Sequence, residues 1–184
     1  MRTRHLVLLL WLVGSGLPVR AQSAQDHRAA IGTVIDLWVT KTEQLVVPAA
    51  DALPESSYGF RPTAGEFTGV RTFAEQVKHL AAANYQLAAI ALGEDPPPGT
   101  QNETAPDSVR TKSEILCYLH GSFVSLHRAA TRINRRNLED RIVVGKESEN
   151  AVGLVVDALA HAQNHYGQMA EYLRLNGIVP PASR

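Results

Sequence analysis

Between Asn150 and Asn176 apolar residues recur at steps of three and four, and His161 and His165 stand inside that rhythm. Leu154, Ala158, His161, His165, Gln168, Met169 and Tyr172 make one stripe of a helix, which Asn176-Gly177 closes and Pro180-Pro181 keep from resuming. The two imidazoles therefore project from one face, and that face is the one a fold must bury. Buried imidazoles have to be hydrogen-bonded, neutral or metal-bound, because an unpaired buried polar group costs roughly 2 kcal/mol or more. Four residues is also the spacing at which two histidines grip one ion. Zinc proteases with this spacing carry Glu after the first His; Ala162 stands there, so that mechanism lacks its proton acceptor. One pair is not a site, and a third ligand has to come from elsewhere.

Three further segments show helical periodicity. The first, Asp26 to about Ala50, carries Ile31, Val34, Ile35, Trp38, Val39, Leu45 and Val46, with Pro48 near its end. Residues 52–69 hold Pro54, Gly59, Pro62, Gly65 and Gly69 around Tyr58 and Phe60, an ordered loop that aromatics pin over one end of a bundle. A second helix spans about Arg71 to Leu92, with Phe73, Val77, Leu80, Leu87 and Ile90 inward and His79 at the stripe's edge. Gly93 to Gly99 breaks the chain, and the polar stretch through Pro106 is long enough to run the length of a bundle. A third helix is expected from about Ser108 to Asn137, capped by Asp107 or Ser108, with Ile115, Leu116, Leu119, Phe123, Leu126 and Ala130 inward. Arg132, Arg135 and Arg136 complement its C-terminal dipole. His120 and His127 lie two turns apart on it, too far to chelate one ion together, and read as structural or as neighbours of a pocket. Residues 137–149 read as a connection without strand pairing. Four such helices predict an all-α four-helix bundle with a long connection between helices 2 and 3, a fold whose metal sites are built from side chains on facing helices.

Residues 1–21 read as an export signal: Arg2, Arg4 and His5, an apolar run Leu6 to Val13, then Val19-Arg20-Ala21 with cleavage after Ala21. The run is about 8 residues, short of the roughly 18 a membrane span requires, so no stable span is expected after cleavage. Residues 22–184 then form one domain, exported to the periplasm or the exterior. With 18 basic and 18 acidic side chains the formal charge is +0, which leaves no electrostatic footprint for nucleic acid. The single cysteine, Cys117, has no partner for an internal disulfide and reads as a small core residue. Asn102-Glu-Thr matches a glycosylation triplet, a pattern common by chance.

Tyr58-Gly-Phe-Arg-Pro62, then Val77-Lys-His79-Leu80, then His161-Ala-Gln-Asn-His165-Tyr-Gly-Gln-Met-Ala-Glu-Tyr-Leu-Arg-Leu-Asn-Gly-Ile-Val-Pro-Pro181 together resemble the DinB/YfiT-like superfamily over nearly all the mature chain. The resemblance implies an up-down-down-up bundle in which one histidine of the second helix and two of the fourth hold a divalent metal, often zinc or nickel. The matching positions are His79, His161 and His165, which supplies the missing ligand. It also implies small-molecule substrates, low-molecular-weight thiols among them, and admits a homodimer. Many relatives carry Glu or Asp after the first histidine of the last motif and Arg after the second, where this chain has Ala162 and Tyr166. Gln168 and Gln76 are candidates to hydrogen-bond the ligands from behind.

Three neutral imidazoles leave a coordination position for water or substrate, the arrangement of a catalytic zinc site. Three readings follow: a metal-dependent hydrolase or thiol transferase, a metal- or small-ligand-binding module without catalysis, and an inert bundle whose histidines serve the core.

Overall fold

A computed structural model describes residues 24–66 and 68–184, so the expected export signal lies outside the described residues. Its elements are α1 (Ala24–Ala52), α2 (Phe73–Leu92), α3 (Lys112–Arg132), a hairpin of β1 (Ile142–Val144) and β2 (Glu147–Glu149), and α4 (Ala151–Leu175). The chain is an all-α bundle.

The order of the helices follows from side chains that tie their ends. Lys112 at the start of α3 pairs with Asp51 at the end of α1 (2.9 Å), and His127 further along α3 meets Asp36, so α1 and α3 are antiparallel. Tyr85 of α2 stacks beside Tyr118 of α3, and past both of them Arg128 binds Glu94, so α2 and α3 run the same way. Phe73 at the start of α2 meets Tyr172 near the end of α4, which makes that pair antiparallel. The result is up-down-down-up. The core is one cluster, with Val39, Val46, Phe73, Leu80, Leu119, Phe123, Leu126, Val155, Met169 and Leu173 fully buried.

The loop between α1 and α2 serves the helix ends it joins. Tyr58 Oη donates to the Ala50 carbonyl (2.7 Å), one of the last four in α1 that lack a partner within the helix. Phe73 N–H donates to the Phe60 carbonyl and Ala74 N–H to that of Tyr58, while Thr72 and Glu75 form a reciprocal capping box. The four amides that lack an intrahelical carbonyl, those of Thr72, Phe73, Ala74 and Glu75, are thereby all bonded. Phe60 and Tyr172 pack edge to face, so the aromatics do pin this loop to the bundle's end.

Several expectations are corrected. The cap of α3 is Thr111, in a second capping box with Glu114, and not Asp107 or Ser108; the helix stops at Arg132, before Arg135 and Arg136. Residues 142–149 do pair, through an antiparallel hairpin whose two-residue turn places Gly145 at φ 62°. Val34 and Trp38 are 57% and 54% exposed, because the buried arc of α1 is centred on Val39, Val46 and Ala50 and both side chains fall past its edge. Cys117 is exposed, since it stands two residues from both Ile115 and Leu119 and so on the opposite side of α3.

His120 and His127 face α1, away from the other histidines. His127 Nδ1 lies 2.5 Å from Asp36 and Nε2 3.2 Å from Glu43, whose other oxygen meets His120 Nδ1 at 3.4 Å. Burial opposes the charge on His127, but the hydrogen bonds to Asp36 and Glu43 outweigh it and raise its pKa. A raised folded-state pKa gives stability that is complete below the unfolded value, about 6.5, and is lost as pH climbs through the folded one. Denaturant melts should therefore show the chain losing up to about 1 kcal/mol from pH 6 to pH 9, a loss that His127→Gln removes. In the same assay Tyr58→Phe should cost about 1 kcal/mol at every pH, because it leaves a buried carbonyl without its donor.

Candidate metal centre

Two antiparallel helices bring the three predicted histidines to one point. His79 projects from the middle of α2, and His161 and His165 project one turn apart from α4. His79 and His165 are buried, at 6% and 4% exposure, and His161 is half-buried. His161 Nε2 lies 3.2 Å from His79 Nε2 and 2.9 Å from His165 Nε2. A tetrahedron with metal–nitrogen bonds of about 2.0 Å has edges of ~3.3 Å, which these two separations approach, while the His79 and His165 donors lie within 4.8 Å of each other. Among the described residues this is the one group of three metal-ligating side chains whose donor atoms fall within 4.8 Å of one another.

The far side of each ring decides what Nε2 can do. His79 Nδ1 faces two acceptors, the Glu103 carbonyl at 3.1 Å and its carboxylate at 3.3 Å, so that nitrogen carries the proton and Nε2 presents a lone pair. His165 Nδ1 lies 2.7 Å from the Gln76 amide, which is itself 2.7 Å from Gln168. With the Gln76 NH2 on Nδ1, His165 Nε2 carries a proton directed at His161. Now His161 Nε2 faces a lone pair on one side and an N–H on the other. Bare, it repels His79; protonated, it collides with His165. In that amide orientation no proton placement on three neutral rings satisfies both contacts; with the amide turned so that Oε1 accepts from Nδ1, His165 Nε2 is bare as well, and all three Nε2 atoms can face one shared proton or cation.

Burial first, and then the neighbouring His161 and His79, depress the His165 pKa to about 3; burial and His79 likewise lower that of His161. Neutral rings are the form that ligates a metal. His161 Nδ1 is buried without a hydrogen-bond partner, which makes His161 the least constrained of the three rings.

Glu103 was not foreseen from the sequence. It belongs to a 3₁₀ turn, Gln101–Glu103, in the connection between α2 and α3, and is the one non-glycine residue with positive φ (53°) among the described residues. That conformation costs about 1 kcal/mol or more, and it lets both acceptors of one residue reach the same imidazole nitrogen. The long connection is thus a strap along the bundle that fixes His79. Ala162 is fully buried in the core, so a carboxylate at that position would be desolvated; the nearest carboxylate to the rings is supplied by Glu103. Tyr166 packs on the core, and neither it, Tyr85 nor Tyr172 lines the cavity of about 530 Å³ that opens beside His79 and Glu103.

The family model described as DinB superfamily matches residues 39–169. The chain belongs to the DinB superfamily. No curated protein matches it. The matched region contains all three histidines, Gln76, Glu103 and Gln168, so the centre of this DinB protein lies within the part that defines its family.

Strain at Glu103 yields a prediction. Glu103→Asn tolerates the left-handed backbone and keeps the carbonyl, so it should leave thermal stability within about 0.5 kcal/mol of the parent, whereas Glu103→Val should lose at least ~1 kcal/mol. Equal melting temperatures for the two variants would show that the turn is not held in that conformation.

Proposed function

We propose that this DinB protein is a metal-dependent enzyme that holds one divalent ion, zinc or nickel, on His79, His161 and His165 and acts on a small molecule. The observation that carries the reading is the convergence of three histidine Nε2 atoms from two helices on one point. Such an ion, when bound, lowers the pKa of a water or thiol beside it. The remaining work falls to the chain. Glu103 keeps the His79 proton on Nδ1, so that its Nε2 is a ligand. Gln76, with its amide turned so that Oε1 accepts from His165 Nδ1, does the same for His165, and Gln168 then donates its own NH2 to that oxygen. The cavity beside His79 admits the substrate. Hydrolysis and thiol transfer are the two reactions this arrangement serves. We also read residues 1–21 as an export signal on the strength of their basic, apolar and small-residue order, which favours a hydrolase over an enzyme of cytosolic thiols.

A non-catalytic metal-binding module is the alternative, favoured by Ala162 where many relatives carry a carboxylate. A panel of esters and amides, run beside a thiol-plus-electrophile panel with zinc- and nickel-loaded protein, separates the readings. Turnover of any member that disappears with His165→Ala supports the enzyme; retention of metal with no turnover of either panel supports the module. Gln76→Ala should weaken metal binding about 10–100-fold in a competition titration, while Gln76→Glu, which keeps an acceptor on Nδ1, should retain most of it.

A further inference from the structure

The cavity beside His79 is bounded by residues from three places in the chain: Arg61 in the loop after α1, Arg71 just ahead of α2 with Lys78 on it, and Glu103 and Asp107 in the strap. At about 530 Å³ it is of a size that takes a small molecule. We propose that it binds a small anion, a carboxylate or phosphate compound, whose charged group is held by Arg61, Arg71 and Lys78 while the rest of the molecule reaches the His79 end. The inference deepens the metal-centre reading by naming the substrate's charge, and its reactive end rests on that reading.

Three long cations of this molecule pair with carboxylates, Arg128 with Glu94 at 2.7 Å, Arg174 with Glu171 at 2.6 Å and Lys112 with Asp51 at 2.9 Å; what sets Arg61, Arg71 and Lys78 apart is that they are unpaired and line one cavity. Among the described residues, no side-chain nitrogen of Arg61, Arg71 or Lys78 has a hydrogen bond or ion pair. Glu75 stands among them and feels Arg61 and Lys78, yet its carboxylate is committed to the Thr72 amide at 2.7 Å and hydroxyl at 2.9 Å. Glu103 is turned to His79. Asp107 is then the one cavity carboxylate without a partner, against three such cations, and it sits on the strap wall. Two guanidinium groups offer the planar forks that carboxylate and phosphate accept in pairs. Arg71 lines the same cavity as His79 and is near enough for its charge to lower the pKa of both His161 and His165 slightly, after burial and the neighbouring rings. An anion anchored there lies next to the ligands with its uncharged part free to approach them.

The test is calorimetric titration of succinate, inorganic phosphate and neutral succinamide into the full chain at low salt, metal-free and zinc-loaded, with elemental analysis of every sample. One or both anions should bind one per chain while succinamide does not, and the preferred anion identifies the group as carboxylate or phosphate. Arg71→Gln combined with Lys78→Gln should weaken that binding at least about tenfold with zinc content unchanged, whereas Arg71→Lys, which keeps the charge and loses the fork, should weaken it by less than the double variant. Should the double variant fail to fold, Arg61→Gln alone must show the weakening. Binding no tighter for either anion than for succinamide, or equal binding by the folded variants, would overturn the proposal. Anion binding by a parent chain that takes up no zinc or nickel on reconstitution would leave the anion site standing while removing the metal reading, and metal uptake without anion binding would do the reverse, so the two fail separately.

Discussion

Everything in this molecule turns on the meeting of three imidazoles inside a helical bundle. Burial depresses the pKa of His161 and His165, so those two rings are held neutral beside His79. With Nε2 atoms 2.9 and 3.2 Å apart, the rings can share one proton or one cation at the point where they meet. The bundle supplies the rigidity that holds them there: α2 and α4 are antiparallel, capped at their N-termini by Thr72 and Asn150, and joined by a core that includes Phe73, Leu80, Met169 and Leu173.

The connections matter as much as the helices. The loop after α1 ties the end of α1 to the start of α2 through Tyr58 and delivers Arg61 to the cavity rim. The strap between α2 and α3 delivers Glu103 to His79 and closes the other side of the same cavity. In an up-down-down-up bundle the second and third helices run the same way, so the chain must travel the full length of the bundle between them. That topological requirement carries the strap past the centre, where a strained backbone at Glu103 holds His79 in the tautomer that ligates.

The bundle and its histidine pair were legible because helical periodicity is a local property: Leu154, Ala158, His165, Met169 and Tyr172 announce a buried face by spacing alone, and Gly177 marks the helix end. His79 was not legible in that way, since a lone histidine on a stripe's edge has no local partner; the resemblance supplied it, and the fold brings it to the other two. Glu103 left no signal at all. Its role depends on a positive φ and on a contact across 24 residues, neither of which pattern reveals. Cys117 reads as a core residue from its apolar neighbours, and Val34 and Trp38 belong to the apolar pattern of α1, while burial is decided by which arc of a helix meets its neighbours. The hairpin at 142–149 is too short for alternation to register, and Thr111 outcompeted Asp107 as a cap because Glu114 completes the box.

The central claim is that three side chains from two helices hold one ion, and elemental analysis of the purified chain beside its His79→Ala and His161→Ala variants tests it most directly. About one equivalent of zinc or nickel in the parent, lost from both variants while their helical content is kept, is the predicted result. A parent that takes up no metal after reconstitution, or a His79→Ala variant that keeps its full equivalent, would contradict it.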